Sequence, residues 1–275
     1  MKQKMIALLA IVSVFCSLSA QRASETVTLY GKDQLQGFTI NVNNYPQAVV
    51  DGAMSNIFEN QYKLKGSKKK GYHVYENQQC SAFGDARYDL YFTTTEVGKK
   101  NNKAVQVTLV VSTGNMNCVT FANDPRTSRN IVSFLEKFDK EVEHYDITLR
   151  IQDLENKLTK LHKERDGLLA DSAKLVDKIA NTTEELKQLS DKLEKVTAQV
   201  ATMQEEFNNT LDAGLKAQLD EKTKEKQSLQ KTQASKQKTL TNLNDNLVKV
   251  KAKLRNNATE IETADKDLKA LRQSL

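Results

Sequence analysis

Between Ile147 and Phe207 the chain reads ITLRIQDLENKLTKLHKERDGLLADSAKLVDKIANTTEELKQLSDKLEKVTAQVATMQEEF, and two apolar series return in it at every seventh position. One is Ile151, Leu158, Ile179, Leu186, Leu193, Val200 and Phe207; the other is Ile147, Leu154, Leu161, Leu168, Leu175, Leu189, Val196 and Met203. Two interleaved sevenfold repeats of this length define a coiled-coil seam, because only an α-helix returns the same face at that spacing. Arg165, Ser172 and Thr182 interrupt the seam with polar side chains, and Gly167 marks a candidate break, since glycine costs a helix roughly 1 kcal/mol against alanine.

Working outward towards the C-terminus, the register lapses across Asn208, Asn209, Asp212 and Gly214. It resumes in another phase with Leu240, Leu247, Leu254, Ile261, Leu268 and Leu275 alternating with Leu243, Val250, Ala264 and Leu271. A turn within 208–216 would make the two stretches equal in length, so that the returning helix buries the seam of the outgoing one. The expectation is an antiparallel hairpin reaching roughly 90 Å at 1.5 Å per residue. Its rival is one unbroken helix paired with a second chain. Lys222–Lys238 carries few apolar seam residues, so stability is expected to be lowest near the tip.

Both prolines, Pro46 and Pro125, and every tyrosine precede this arm, whose only aromatic is Phe207. Aromatic side chains supply the bulk of a globular core, so the core lies upstream. There Phe38, Ile40 and Val42 alternate as a strand, and Val27 and Leu29 suggest a shorter one ending at Gly31. Pro46 suits a helix start. Val50, Ala53, Met54, Ile57 and Phe58 then follow helical spacing to about Leu64. Tyr72–Gln79, Tyr88–Thr95 and Ala104–Val111 read as three strands of an antiparallel meander. Val119 and Phe121 suggest a little more strand. Asp124, Pro125 and Thr127 open a helix whose stripe of Ile131, Phe134, Leu135, Phe138 and Val142 is too wide and aromatic for a coiled coil and fits a sheet instead. The fold class is therefore α+β: a small antiparallel sheet with helices packed on one face, followed by a long antiparallel α-helical coiled-coil hairpin.

At the N-terminus Lys2 and Lys4 precede an uncharged apolar run, Met5–Phe15, and small residues ending at Ala20. This pattern is a secretory leader, too short to span a bilayer. The chain thus divides into a leader at 1–20, the α+β domain at 21–145 and the arm at 146–275. Export from a Gram-negative cytoplasm to the periplasm or envelope is expected, with no transmembrane segment after cleavage. Cys16 raises lipidation as an alternative, although Phe15 before it is larger than the residue that usually precedes a lipidated cysteine.

Cleavage leaves Cys80 and Cys118. In an oxidising compartment an even pair invites a disulfide, and two free buried thiols are the alternative. The formal charge is +6, and basic and acidic residues nearly balance along the arm. Within it Lys222–Arg255 is basic, opposed only by Glu225 and Asp245; it either draws an acidic partner or neutralises the facing helix. Lys68, Lys69 and Lys70, between Gly66 and Gly71, form a basic loop that serves either as a partner contact or as a solvated surface. No nucleic-acid partner is expected of an exported protein.

Catalytic patterns are missing from the sequence. His73, His144 and His162 are scattered, no cysteine pair has metal-ligand spacing, and there is neither a nucleophile elbow nor a glycine-rich phosphate loop. The expectation is a non-enzymatic protein without cofactor.

The strand Gly37–Val42 running into Asn44, Tyr45 and Pro46, with the helix Asn130–Val142 continuing into a coil, resembles a group of uncharacterised exported proteins of Bacteroidetes-type bacteria. These join a small α+β domain to a charged C-terminal coiled coil. The resemblance implies the same layout and no activity. In shape the arm is also similar to the helical tentacles of periplasmic holdase chaperones, although no hairpin is inserted within a β framework here. Two functions follow as expectations: an interaction or spacer protein of the cell envelope, docking by its domain and reaching or self-associating by its coil, or a holdase for unfolded envelope proteins.

Overall fold

The computed structural model describes residues 22–98 and 103–275; the leader, with Cys16, lies outside them. The described chain forms two compact units, one up to Leu149 and one at Arg150–Ser274.

The first unit is built on six strands: β1 Ser24–Tyr30, β2 Asp33–Asn43, β3 Ser67–Lys69, β4 Tyr72–Gln79, β5 Arg87–Val97 and β6 Ala104–Ser112. All neighbours are antiparallel, in the order β1-β2-β6-β5-β4-β3. The meander β4-β5-β6 is as the alternation suggests, but the β1–β2 hairpin joins it at β6, with Phe38 opposite Leu109 and Val42 opposite Val105. Lys63–Gly71, read as a loop, contains the edge strand β3. Its lysines show no apolar alternation, and charged residues of this kind are what an edge strand tolerates. The expected strand at Val119–Phe121 is reduced to one bridge, Ser112 to Cys118.

Helix α1, Gln47–Asn56, ends in a π-turn over Ile57–Gln61, not in a straight run to Leu64. Helix α2 begins at Pro125, where Asp124 Oδ1 accepts the Thr127 N–H at 3.0 Å. The Thr127 hydroxyl, its N–H and the neighbouring Arg126 hold the Asp124 carboxyl below the usual carboxylate range. Asp124→Ala should therefore cost the domain about 1 kcal/mol, and thermal melts check this. The sign of the shift requires that the cap's contribution be present at neutral pH and be lost in acid, as the pH falls through the depressed pKa.

Strand alternation divides the core in two. On one face Phe38, Ile40, Val107, Leu109, Leu90 and Phe92 meet Val50 and Met54 of α1, Phe58 of its π-turn, and Ile131, Leu135, Phe138 and Val142 of α2. On the other face Tyr30, Leu35, Tyr72, Val74, Tyr91 and Val110 pack together. Tyr30 lies 5.6 Å from the Tyr72 ring, and Thr28 Oγ1 lies 2.5 Å from the Tyr72 hydroxyl. Since β1 and β4 are four places apart, roughly 19 Å in a flat sheet, the sheet coils back on itself to bring them together. The helix-free face is thus covered by its own tyrosines.

The second unit is the helical hairpin. α2 runs unbroken from Pro125 to Thr210, and α3 spans Ala213–Ser274. Gly167 does not interrupt α2. The seam residues Arg165, Leu168, Ser172 and Leu175 around it are all at least half-buried, so packing on both sides outweighs the glycine's cost. The chain reverses at Leu211, which adopts φ 53°, and Asp212 caps α3 by accepting the Leu215 N–H at 2.9 Å. Gly214 lies inside the first turn of α3 and is not itself the hinge. Bridges between the helices fix their antiparallel register: Arg272 to Glu155 at 2.6 Å, Asn257 Nδ2 to the Leu161 carbonyl at 3.0 Å, and Lys236 to Glu185 at 2.6 Å. The single chain supplies both helices of the seam, which removes the unbroken-helix alternative.

Candidate functional site

Of the seam residues read from the sequence, Leu275 lies beyond the end of α3 and is exposed, and the others are buried or half-buried. Leu158, Leu161, Val196, Ile261 and Leu268 are buried. Ile151, Leu154, Leu175, Ile179, Leu186, Leu189, Leu193, Val200, Met203, Leu240, Leu243, Leu247, Val250, Leu254 and Leu271 are half-buried. Their packing is tightest where Leu158 and Leu161 meet Ile261, Ala264 and Leu268. Thr182, a polar residue at a seam position in the sequence, is buried there; Asn257, at the sevenfold step between Val250 and Ala264, and Leu219 are buried seam members as well. Lys222, Lys226, Gln233 and Lys236 are half-buried seam positions too, so the basic window lies partly against the facing helix. Lys236 pairs there with Glu185.

Lys68, Lys69 and Lys70 each pair with a different carboxylate. Lys68 approaches Asp51 at 3.8 Å, and Lys69 binds Glu76 at 2.7 Å. Lys70 reaches Asp33 at 4.0 Å and lies over the Tyr30 ring. Strand alternation and the tight turn at Gly71 send the three in different directions.

Cys80 and Cys118 are both free, which corrects the disulfide expectation. Cys80 packs with Phe58, Phe83 and Leu90 on the helix-covered face, whereas Cys118 packs beside the tyrosine cluster on the opposite face. The sheet lies between them, and a disulfide requires Cα atoms within about 7 Å. Burial pushes the Cys80 thiol up to about 11 and raises that of Cys118 as well. Cys80 should therefore resist alkylation at pH 8 in the folded protein and react fully in denaturant; peptide mass spectrometry at Cys80 checks this.

A site that the sequence reading missed lies between α1 and β4. Asp51, Ser55 and Glu59 follow one another at intervals of four along the helix and its π-turn, while His73 and Tyr75 are two apart on β4. The two periods match, and the side chains meet. His73 Nε2 lies 3.0 Å from Asp51 Oδ2, Ser55 Oγ lies 3.5 Å from His73 Nδ1, and the Tyr75 hydroxyl donates to Glu59 Oε1 at 3.0 Å. Asp51 Oδ1 also accepts from the Thr94 hydroxyl at 3.0 Å. Gln47 Nε2 donates to the Thr94 carbonyl at 2.7 Å, and the His73 ring stacks on Phe92 at 4.3 Å. Burial, with the Glu59 carboxylate, pushes the Tyr75 hydroxyl well above the usual tyrosine range.

The outer end of this row opens into a cleft of about 420 Å³ walled by Gln47, Asp51, Lys68, His73, Thr93 and Thr94. Ser55, His73 and Asp51 follow one another in a chain of contacts, but the serine end of the chain lies away from the cleft wall. The imidazole nitrogen on the cleft side is committed to Asp51. The row fastens helix to sheet. The cleft presents a carboxylate, an ammonium, an amide and hydroxyls, a set that recognises polar main chain or side-chain amides by hydrogen bonding. Among the described residues no group of three metal-ligating side chains converges, and no helix is long and apolar enough to cross a membrane.

Comparison with protein-family models, curated proteins and solved structures finds no match to this chain.

Proposed function

We propose that this is a non-enzymatic interaction or spacer protein of the cell envelope. Its sheet domain docks on a polar segment of an envelope partner, and its coiled coil provides reach or self-association. The observation that carries this reading is the closure of the hairpin's own seam. The residues that repeat every seventh position on α2 are covered by those of α3, down to the buried Leu158, Leu161, Ile261, Ala264 and Leu268. A holdase would need a continuous apolar trough left open along the arm, so the spacer reading is favoured over it.

Photo-crosslinking in cells tests this, with one probe near Leu211 at the turn and one at Lys69 beside β3. Recurrent capture of one or two envelope proteins, or of the chain itself, supports the proposal. A broad spread of unrelated newly exported proteins at Leu211 would replace it with the holdase reading.

A further inference from the structure

Apart from the turn and the C-terminal residue, the exposed large apolar side chains of the hairpin are three: Leu169, Val176 and Val248, at 52, 49 and 67% exposure. Each follows a seam residue by one position: Leu168, Leu175 and Leu247. One residue is a turn of 100° about the helix axis, so every residue one step past the seam lies on the same flank of its helix. Glu155 and Arg272 hold the same position after Leu154 and Leu271, and they meet at 2.6 Å. The flanks of the two helices therefore lie on one side of the hairpin, and all three exposed apolar residues share it.

The flank has its own pattern. On α2 it reads Asp166, Leu169, Ala173, Val176, Ala180, Thr183 and Lys187, all exposed and spaced alternately by three and four. That is the spacing of a second seam. Its middle is uncharged, and so is the facing stretch of α3, Gln237, Thr241, Asn244 and Val248, which the bridge from Lys236 to Glu185 places at the same level. An uncharged window is unusual on an arm whose other exposed positions are dense in lysine, aspartate and glutamate. Ala173 and Ala180, seven apart, leave room for another helix axis to approach to about 8 Å.

We propose that this flank is a contact between two copies of the chain, laid antiparallel so that the hairpins form a four-helix bundle centred on Val176. The pattern is its own complement under that twofold. Val176 meets Val176 of the second copy, Ala173 meets Ala180, Leu169 meets Thr183, and Asp166 at one end faces Lys187 at the other. On α3 the same operation sets Asn244 against Val248 and Thr241 against Lys251, so that no like charges are opposed. This deepens the proposed function by assigning the self-association to a surface, and rests on it only in taking the arm as a place of association.

The test is the molar mass of the full chain by sedimentation equilibrium over a range of concentrations, with Val176→Glu and with Asp166→Lys alone and combined with Lys187→Asp. Val176 is half exposed, so Val176→Glu should keep the helix content of the parent, which circular dichroism verifies. The expected result is a concentration-dependent dimer, weakened roughly tenfold or more by Val176→Glu and by Asp166→Lys, and restored by the double exchange. Val176→Cys should form a disulfide-linked dimer under mild oxidation, whereas Leu211→Cys should not. A monomer at all concentrations, a dimer indifferent to Val176→Glu, or a failure of Val176→Cys to link overturns the assignment. A monomer that still captures one recurrent envelope protein in cells would leave the proposed function standing without it.

Discussion

Leu189→Asp combined with Leu193→Asp is expected to unfold the outer part of the hairpin while leaving the sheet domain intact. Both leucines are half-buried on the seam of α2, in consecutive turns. Each replacement forfeits part of the roughly 1.5–3 kcal/mol that burying a leucine contributes and puts a carboxylate against apolar neighbours. A combined loss of about 4–6 kcal/mol exceeds what this part of the arm can supply, since the facing stretch of α3 already places Lys226, Gln233 and Lys236 on the seam. The packed cluster of Leu158, Leu161, Ile261, Ala264 and Leu268 should persist, so the helical dichroism should fall substantially without vanishing. All eight tyrosines precede Arg150, so tyrosine fluorescence reports the sheet domain alone and should not change. Retention of full helix content would remove Leu189 and Leu193 from the seam.

The reciprocal experiment is Phe58→Ala. Phe58 is fully buried, and its ring lies 5.2 Å from Tyr75, 6.4 Å from Phe83, 5.9 Å from Phe92 and 5.8 Å from Phe134. Those partners come from β4, the loop after it, β5 and α2, so one side chain joins helix to sheet and first helix to second. Truncation leaves a cavity that four rings cannot all collapse into, and large aromatic deletions of this kind cost about 3–5 kcal/mol. Urea titration followed by tyrosine fluorescence should show the domain transition moving to markedly lower denaturant, with the helical signal of the hairpin melting at its parental midpoint. A change below about 1 kcal/mol would mean that the rings repack and that Phe58 is not the hub described here.

What was legible in the sequence is what has a period. Tyr72–Gln79 is a strand with the same bounds in the structure, and the sevenfold repeats locate the seam on both helices. What has no period stayed hidden. Nothing local couples β2 to β6 or says that Tyr30 folds back onto Tyr72, because these are pairings between distant segments. The disulfide expectation failed for a related reason. Up-and-down strands set Cys80 and Cys118 at one edge, but which face each side chain takes depends on the backbone after Gln79 and after Ser112, where the alternation ends. Asn257 holds a sevenfold seam position but is polar, and that its amide bonds the Leu161 carbonyl of the other helix is a pairing between distant segments. The row of Asp51, Ser55 and Glu59 shows a helical spacing as regular as the apolar one, but a polar stripe at that spacing is equally what a solvent-facing side of a helix carries.

The reversal at Leu211 also sets a clock. The 62 residues of α3 follow the completed α2 out of the ribosome, and at roughly 5–20 residues per second they need about 3–12 s to appear. Throughout that interval the outgoing helix has its apolar repeat made and no returning strand of chain to cover it, so neighbouring nascent copies offer the nearest substitute. Arg165, Ser172 and Thr182 then matter for a reason unrelated to the finished hairpin. Two outgoing helices zipped together must set these polar groups against leucines or against each other, which weakens the premature pairing while the intended partner is still being made.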